Sequence, residues 1–141
     1  MTWPDIQKKM QIVNISGLYN VSPQISLTDV EIISEKGFEK IICNRPDFEV
    51  PPNFQSSVIE KSALKIGLSF EYHPLTFENM NTEIIEKQMS FLRKSKGPVL
   101  AYCTSGTRCA AIWALGQIGK IPNDEILKTT RESGYNLEGL L

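Results

Sequence analysis

Histidine is almost absent from this chain: of 141 residues only His73 is one. The three cysteines, Cys43, Cys103 and Cys109, are an odd count at irregular spacing. They make neither a disulfide framework nor, with a single histidine, a zinc pattern, so no metal and no cofactor is expected. An excess of one charge is lacking as well. Fifteen basic against sixteen acidic residues give a net charge of -1, which points to neither nucleic acid nor an acidic membrane surface as partner. No apolar run approaches the length of a bilayer span. The start, Met1-Thr2-Trp3-Pro4-Asp5, lacks a basic segment followed by an apolar core, so secretion is not expected. A reducing cytoplasm is the expected location, and it would keep a nucleophilic thiol usable.

What is present is 41% apolar content, enough for one compact α/β domain spanning 1–141. Ile12 to Ile15 reads as a first strand, and Leu18 to Val21 extends the sheet after Gly17. Ser26-Leu27-Thr28-Asp29 has capping-box spacing with Asp in the usual Glu or Gln place. Leu27, Val30 and Ile33 form the inner stripe of the helix that follows, with Gly37 past its end. Phe38 to Cys43 reads as a buried strand of a mainly parallel sheet. Asn53 is placed to cap a helix from about Phe54 to Ile66, buried at Phe54, Val58, Ile59, Ala63 and Ile66. Leu68, Phe70 and Tyr72 alternate with Ser69, Glu71 and His73 as a half-buried strand. Asn81 caps a helix over Thr82 to Lys94 with Ile85, Met89 and Leu92 inside. Gly97-Pro98 turns the chain into Val99 to Tyr102, a buried strand. After Arg108 a helix apolar nearly all round runs to Ile118. Asn123 caps a shorter helix, and Asn136 to Leu141 adds a last helical turn. No repeat or linker divides the chain.

The most informative stretch is Cys103-Thr104-Ser105-Gly106-Thr107-Arg108, set between a buried strand and a buried helix. A strand, a tight loop of small residues and a helix N-terminus make an anion cradle, because the loop amides and the helix dipole converge on the bend. A cysteine at the first loop position lies in that field, which favours its thiolate. Arg108 supplies a planar fork for a tetrahedral oxyanion, or ties to a carboxylate such as Asp47 or Glu49. Both carboxylates follow a strand at the edge where open α/β sheets bind ligands, within Asn44-Arg45-Pro46-Asp47-Phe48-Glu49.

The stretch from about Gln24 to Lys120 resembles the phosphatase-like domain of the beta-lactamase hydrolase-like protein family, a bacterial relative of the dual-specificity phosphatases. The resemblance rests on Gln24-Ile25-Ser26, Gly37-Phe38, Asn44-Arg45-Pro46-Asp47 with Glu49, and Gly97-Pro98-Val99-Leu100 leading to Cys103-x-Ser105-Gly106-Thr107-Arg108. It implies a single domain with a mainly parallel central sheet flanked by helices. Cys103 is then the nucleophile; Arg108 and the loop amides from Thr104 to Arg108 bind the oxyanion. Phosphomonoesters, phosphotyrosine among them, would react through a cysteinyl-phosphate, on a small molecule or a phosphoprotein.

The loop departs from the protein-tyrosine-phosphatase pattern in four ways. Four residues, not five, separate Cys103 from Arg108. Tyr102 stands where a histidine is usual, and Cys109 where a serine or threonine helps the thiolate leave. The segment from Pro74 to Asn81 holds no aspartic acid; Glu78 is its only carboxylic acid and a weak candidate for general acid. Tyr-Cys-x-x-Gly-x-Arg spacing instead looks like the active loop of rhodaneses. Sulfur transfer through a Cys103 persulfide, between a sulfane-sulfur donor and acceptor, is the alternative expectation, and a weakly active anion-binding regulatory module the third. Arg45, Asp47 and Glu49 are candidates for groups behind the site. His73, Cys43 and Cys109 read as structural residues, with a side role for Cys109 as a trap for oxidised Cys103.

Overall fold

The computed structural model describes residues 10–141, so the opening segment Met1-Thr2-Trp3-Pro4-Asp5 lies outside the described part. Five strands form one sheet: β1 (Val13–Ser16), β2 (Tyr19–Ser22), β3 (Lys40–Cys43), β4 (Ser69–Tyr72) and β5 (Val99–Tyr102). Their spatial order is β1-β2-β5-β3-β4, with β1 antiparallel to β2 and every other pair parallel. Among the described residues five helices accompany them: α1 (Leu27–Glu35), α2 (Ser56–Lys65), α3 (Thr82–Lys94), α4 (Thr107–Gly116) and α5 (Asn123–Glu132).

The period of two in the strands divides the core into two layers. Val21, Ile42, Val99 and Ala101 face one side, where Met89 of α3, Ala110, Ala111, Trp113 and Ala114 of α4 and Ile126 of α5 cover them. Ile41, Phe70, Leu100 and Tyr102 face the other, against Val30 and Ile33 of α1 and Ile59 and Ala63 of α2. A strand covered on both faces must be apolar throughout, and Val99-Leu100-Ala101-Tyr102 meets that requirement with no exposed surface at all. β5 is also central in the sheet, flanked by β2 and β3. The register aligns Ser22, Tyr102, Cys43 and Tyr72 in one row, so the chain leaves four neighbouring strands at the same carboxyl edge. Glu39 fixes the turn that launches β5 by accepting from Ser95 Oγ (2.5 Å) and the amides of Lys96 (2.7 Å) and Gly97 (3.0 Å).

The expected capping box is present: Asp29 N donates to Ser26 Oγ and Ser26 N to Asp29 Oδ2. Leu27, expected inside, is exposed, because Val30 and Ile33 already fill the strip that faces the sheet. The second helix starts later than expected, at Ser56, after a 3-10 turn over Pro52–Phe54, and Asn53 does not cap it. Its cap comes from a distant loop: Asp47 accepts from Ser56 N at 2.7 Å and from Ser56 Oγ at 2.8 Å. Asp47→Ala is therefore expected to cost about 1 kcal/mol, measured as a lowered urea midpoint with an unchanged slope. Ile66 is exposed beyond the last turn of α2, while Phe54 and Val58 are only half-buried. In the strand that follows, alternation fails at the end: Tyr72 is exposed and His73 buried. β4 stops at Tyr72, and the imidazole of His73 finds a polar partner inside, at Gln88. Asn123 opens the last helix rather than capping it, and residues 136–141 form turns instead of a helical turn.

Candidate active site

Ser22, Tyr102 and Cys43 end adjacent strands, so the loops after β2, β3 and β5 meet over Cys103. The loop after β5 bends sharply at Gly106, whose φ of 93° lies in the region that only glycine adopts readily. A Cβ there would also overlap the hydroxyl of Tyr135. Ser105 Oγ and Thr107 Oγ1 lie 2.8 Å apart and close the outer side of the turn. α4 then begins at Thr107, so its free amides open towards Cys103.

Cys103 is almost fully buried, yet its thiol is brought down from 9.0 to about 5. A hydrogen bond from the Cys109 thiol contributes most to this. Burial opposes it, and the amides of Cys109, Arg108 and Gly106 then add to the lowering. The Gly106 amide lies 3.1 Å from the sulfur. These surroundings favour the thiolate form of Cys103. Cys109 behaves oppositely: burial pushes its thiol well above the ordinary value, which keeps its proton available for donation to Cys103. Sequence reasoning treated Cys109 as packing. The signal was its place one residue after Arg108, where a hydroxyl residue was expected to assist the thiolate. Burial also raises Cys43, to about 11; its thiol donates to the Arg45 carbonyl at 3.3 Å.

Arg108 is tied rather than free. Its Nη1 donates to Glu49 Oε2 (2.9 Å) and the Leu75 carbonyl (2.8 Å). Its Nη2 donates to Glu49 Oε1 (2.8 Å) and Thr104 Oγ1 (2.9 Å). These four bonds engage all four terminal N–H groups and leave Nε–H as its remaining donor. Glu49, lowered from the ordinary carboxylate value first by its hydrogen bond with Arg108, also meets Arg45 Nε at 3.3 Å. Arg45 reaches Gln24 Oε1 at 3.2 Å as well, so the loops after β2 and β3 are joined. Of the two candidate carboxylates, Glu49 faces Arg108; Asp47 does not, being occupied at the N-terminus of α2. Glu78 is exposed on the 3-10 turn Phe77–Asn79, three residues beyond the carbonyl that holds Arg108.

A buried polar network lies beneath the loop, and sequence reasoning missed it. Gln88 of α3 has no exposed surface. Its Oε1 accepts from Asn44 Nδ2 (3.0 Å) and from His73 Nδ1 (2.8 Å). Its Nε2 donates to Asn44 Oδ1 (2.8 Å) and to the Tyr19 hydroxyl (3.1 Å). Tyr19 in turn donates to the Cys109 carbonyl at 2.8 Å, which ties the first turn of α4 to the sheet. Burial keeps His73 below its ordinary pKa, hence neutral, so its role is to complete this network. Gln88 occupies the inner face of α3, a position where an apolar period gives no warning of a polar hub.

A structure from Neisseria meningitidis Z2491, described as a candidate phosphatase, superposes with a TM-score of 0.83 at 32% identity, over 93% of this chain and 94% of that one. Kinase-associated phosphatase, solved with its catalytic-site cysteine changed to serine, shares the fold at a TM-score of 0.67 and 15% identity, over 90% and 85% of the two chains. The beta-lactamase hydrolase-like proteins of Xylella fastidiosa and Agrobacterium fabrum are 26% identical over 130 residues. Those 130 residues are 91% of this chain but 30% of each of those proteins, so the chain spans under a third of their length. The family model for the beta-lactamase hydrolase-like protein, phosphatase-like domain, matches residues 11–120. The chain therefore belongs to the family of beta-lactamase hydrolase-like protein phosphatase-like domains, with the α/β fold of dual-specificity and tyrosine phosphatases.

Proposed function

We propose that the chain is a cysteine-dependent phosphatase that hydrolyses phosphomonoesters. The observation that carries this reading is a thiolate at Cys103, seated under converging loop amides in a chain of phosphatase-like fold. The Cys103 sulfur attacks phosphorus while the bond from phosphorus to the ester oxygen breaks, and the departing oxygen takes a proton from water or Glu78. Water then attacks the cysteinyl-phosphate, the S–P bond breaks, and the thiolate returns to the hydrogen bond from Cys109. The oxyanion is held by the amides of residues 104–108 and by Arg108 Nε–H.

Aromatic esters fit the rim best. Phe48 is 83% exposed and sits beside Glu49; Phe77 is 55% exposed and sits two residues after Leu75. Each thus lies close in sequence to a group bonded to Arg108, and exposed aromatic rings in such positions favour a planar apolar leaving group. A phosphoprotein or an aryl phosphate is the corresponding partner.

A second reading, sulfur transfer, is favoured by the charge balance. Arg45 and Arg108 are offset by Glu49 and the Cys103 thiolate, which leaves little net positive charge for a phosphate dianion. In that reaction Cys103 attacks the outer sulfur of thiosulfate, sulfite leaves, and a second thiolate or cyanide removes the sulfur from the persulfide. No proton donor is needed.

One side-by-side assay tests both, with p-nitrophenyl phosphate in one arm and thiosulfate with cyanide in the other. Turnover of the aryl phosphate, with phosphate trapped on Cys103 after acid quench, is the expected result. A mass increase of one sulfur atom on Cys103, without phosphate release in the other arm, overturns it in favour of sulfur transfer.

A further inference from the structure

Tyr135 lies in the turn after α5, beyond residues 11–120 matched by the family model, yet it reaches the nucleophile loop. Its hydroxyl donates to the Ser105 carbonyl at 3.1 Å. That carbonyl belongs to the same peptide unit as the Gly106 amide, which lies 3.1 Å from the Cys103 sulfur. The described residues contain no cis peptide bond, and in a trans peptide C=O and N–H point in opposite directions. Holding the carbonyl outward on Tyr135 therefore holds the amide inward on the sulfur. The hinge of this unit is Gly106, the residue least able to hold its own orientation, since glycine crosses between backbone regions at little cost. Rotation of this one peptide would replace a donor facing the thiolate with a carbonyl oxygen.

We infer that Tyr135 is a positioning residue for the nucleophile loop: its phenol locks the Ser105–Gly106 peptide so that the Gly106 amide faces Cys103 and any oxyanion bound there. The C-terminal segment is thereby part of the site. The packing around Gly106 supports the same role, because a side chain there would displace the Tyr135 hydroxyl. The inference rests on the thiolate cradle described above and is independent of which group is transferred. The titratable groups that bear on Cys103 are the Cys109 thiol, Arg108, Cys43, Tyr19 and Tyr135 itself, and none of the other four hydrogen-bonds to the Tyr135 phenol.

The test is the pH dependence of Cys103 alkylation by iodoacetamide in the full chain, with the modified residue located by peptide mass. Tyr135→Phe keeps the ring and removes the hydrogen bond. It is expected to raise the alkylation midpoint by about one pH unit, a tenfold change in the ionisation constant. The inorganic phosphate concentration that half-protects Cys103 should rise about tenfold, with the thermal midpoint little changed. An unchanged midpoint together with unchanged protection overturns the inference. A wild-type midpoint near the ordinary cysteine value overturns the thiolate cradle, and this inference with it. Absence of phosphatase turnover alongside the expected Tyr135→Phe shift removes the phosphatase reading and leaves the inference standing.

Discussion

Cys103→Ser is expected to lower turnover by at least about 10⁴-fold, because a serine hydroxyl in the same cradle remains protonated and is a poor nucleophile without a base. The hydroxyl is nearly isosteric with the thiol, so the fold should survive and anion binding persist, which separates loss of chemistry from loss of structure. A variant that keeps more than a few per cent of activity would remove Cys103 from the mechanism. The wild-type pH profile supplies a second measurement. Activity should rise as Cys103 ionises through about 5. A phosphomonoester loses its second proton near pH ~6. The site is already charge-balanced by Arg45, Arg108, Glu49 and the thiolate, so the monoanionic ester should be preferred and activity should fall again above that value. A profile rising only above pH 8 would contradict both the thiolate and the charge balance.

The same ionisation bears on stability, with a defined sign. The folded-state pKa of Cys103 is depressed from 9.0 to about 5. Between those values the unfolded chain binds a proton that the native protein does not, so this group makes stability rise with pH across that window. The contribution is complete above the unfolded value and lost as pH falls through the folded one. Cys103→Ser should flatten that part of the curve of thermal midpoint against pH, a result independent of any substrate.

Arg108→Lys is expected to lower kcat/KM about 10²- to 10³-fold, the loss seen when one oriented oxyanion donor is removed. Lysine keeps the charge but not the planar fork, so it cannot hold both oxygens of Glu49 while also reaching Leu75 and Thr104. The substitution also loosens the junction of three loops, and a thermal midpoint lowered by several degrees should accompany it. Glu49→Gln gives the informative contrast. It removes the charge that competes with substrate for Arg108 and keeps one acceptor for the fork. Affinity for inorganic phosphate should rise several-fold, while the junction weakens less than in Arg108→Lys. If Glu49→Gln instead weakens phosphate binding as much as Arg108→Lys does, then Glu49 serves the site by aiming Arg108 rather than by neutralising it. The two outcomes are distinguished by inhibition constants for phosphate measured at one pH and ionic strength.

The class of the fold and the strand, bend and helix around Cys103 were legible in the sequence because they depend on local, one-dimensional features. An apolar run too short for a helix, a loop of small residues with one glycine, and a helix apolar all round specify a buried strand, a tight bend and a buried helix wherever they occur together. Each was found, at Val99–Tyr102, Gly106 and Thr107–Gly116. The capping box at Ser26 and Asp29 and the cap at Asn81 are local in the same sense, and both were found.

The division of labour among polar side chains was not legible, because it depends on partners far away in sequence. Asp47 and Glu49 are two residues apart in one loop and look equivalent on paper. The tertiary structure sends one to Ser56 and the other to Arg108, since a 3-10 turn points successive side chains in different directions. Gln88 sits in an ordinary amphipathic helix, and only the approach of Asn44, His73 and Tyr19 from other elements makes it a hub. Cys109 gains its role from its approach to Cys103, and Tyr135 from the docking of α5 against β1 and α4. By itself the sequence determined a tight loop, opening on a cysteine, between a buried strand and a buried helix. Only the folded chain decided that its arginine is braced by Glu49 and its amide aimed by Tyr135, because hydrogen bonds between distant segments exist only once the sheet has brought their ends to one edge.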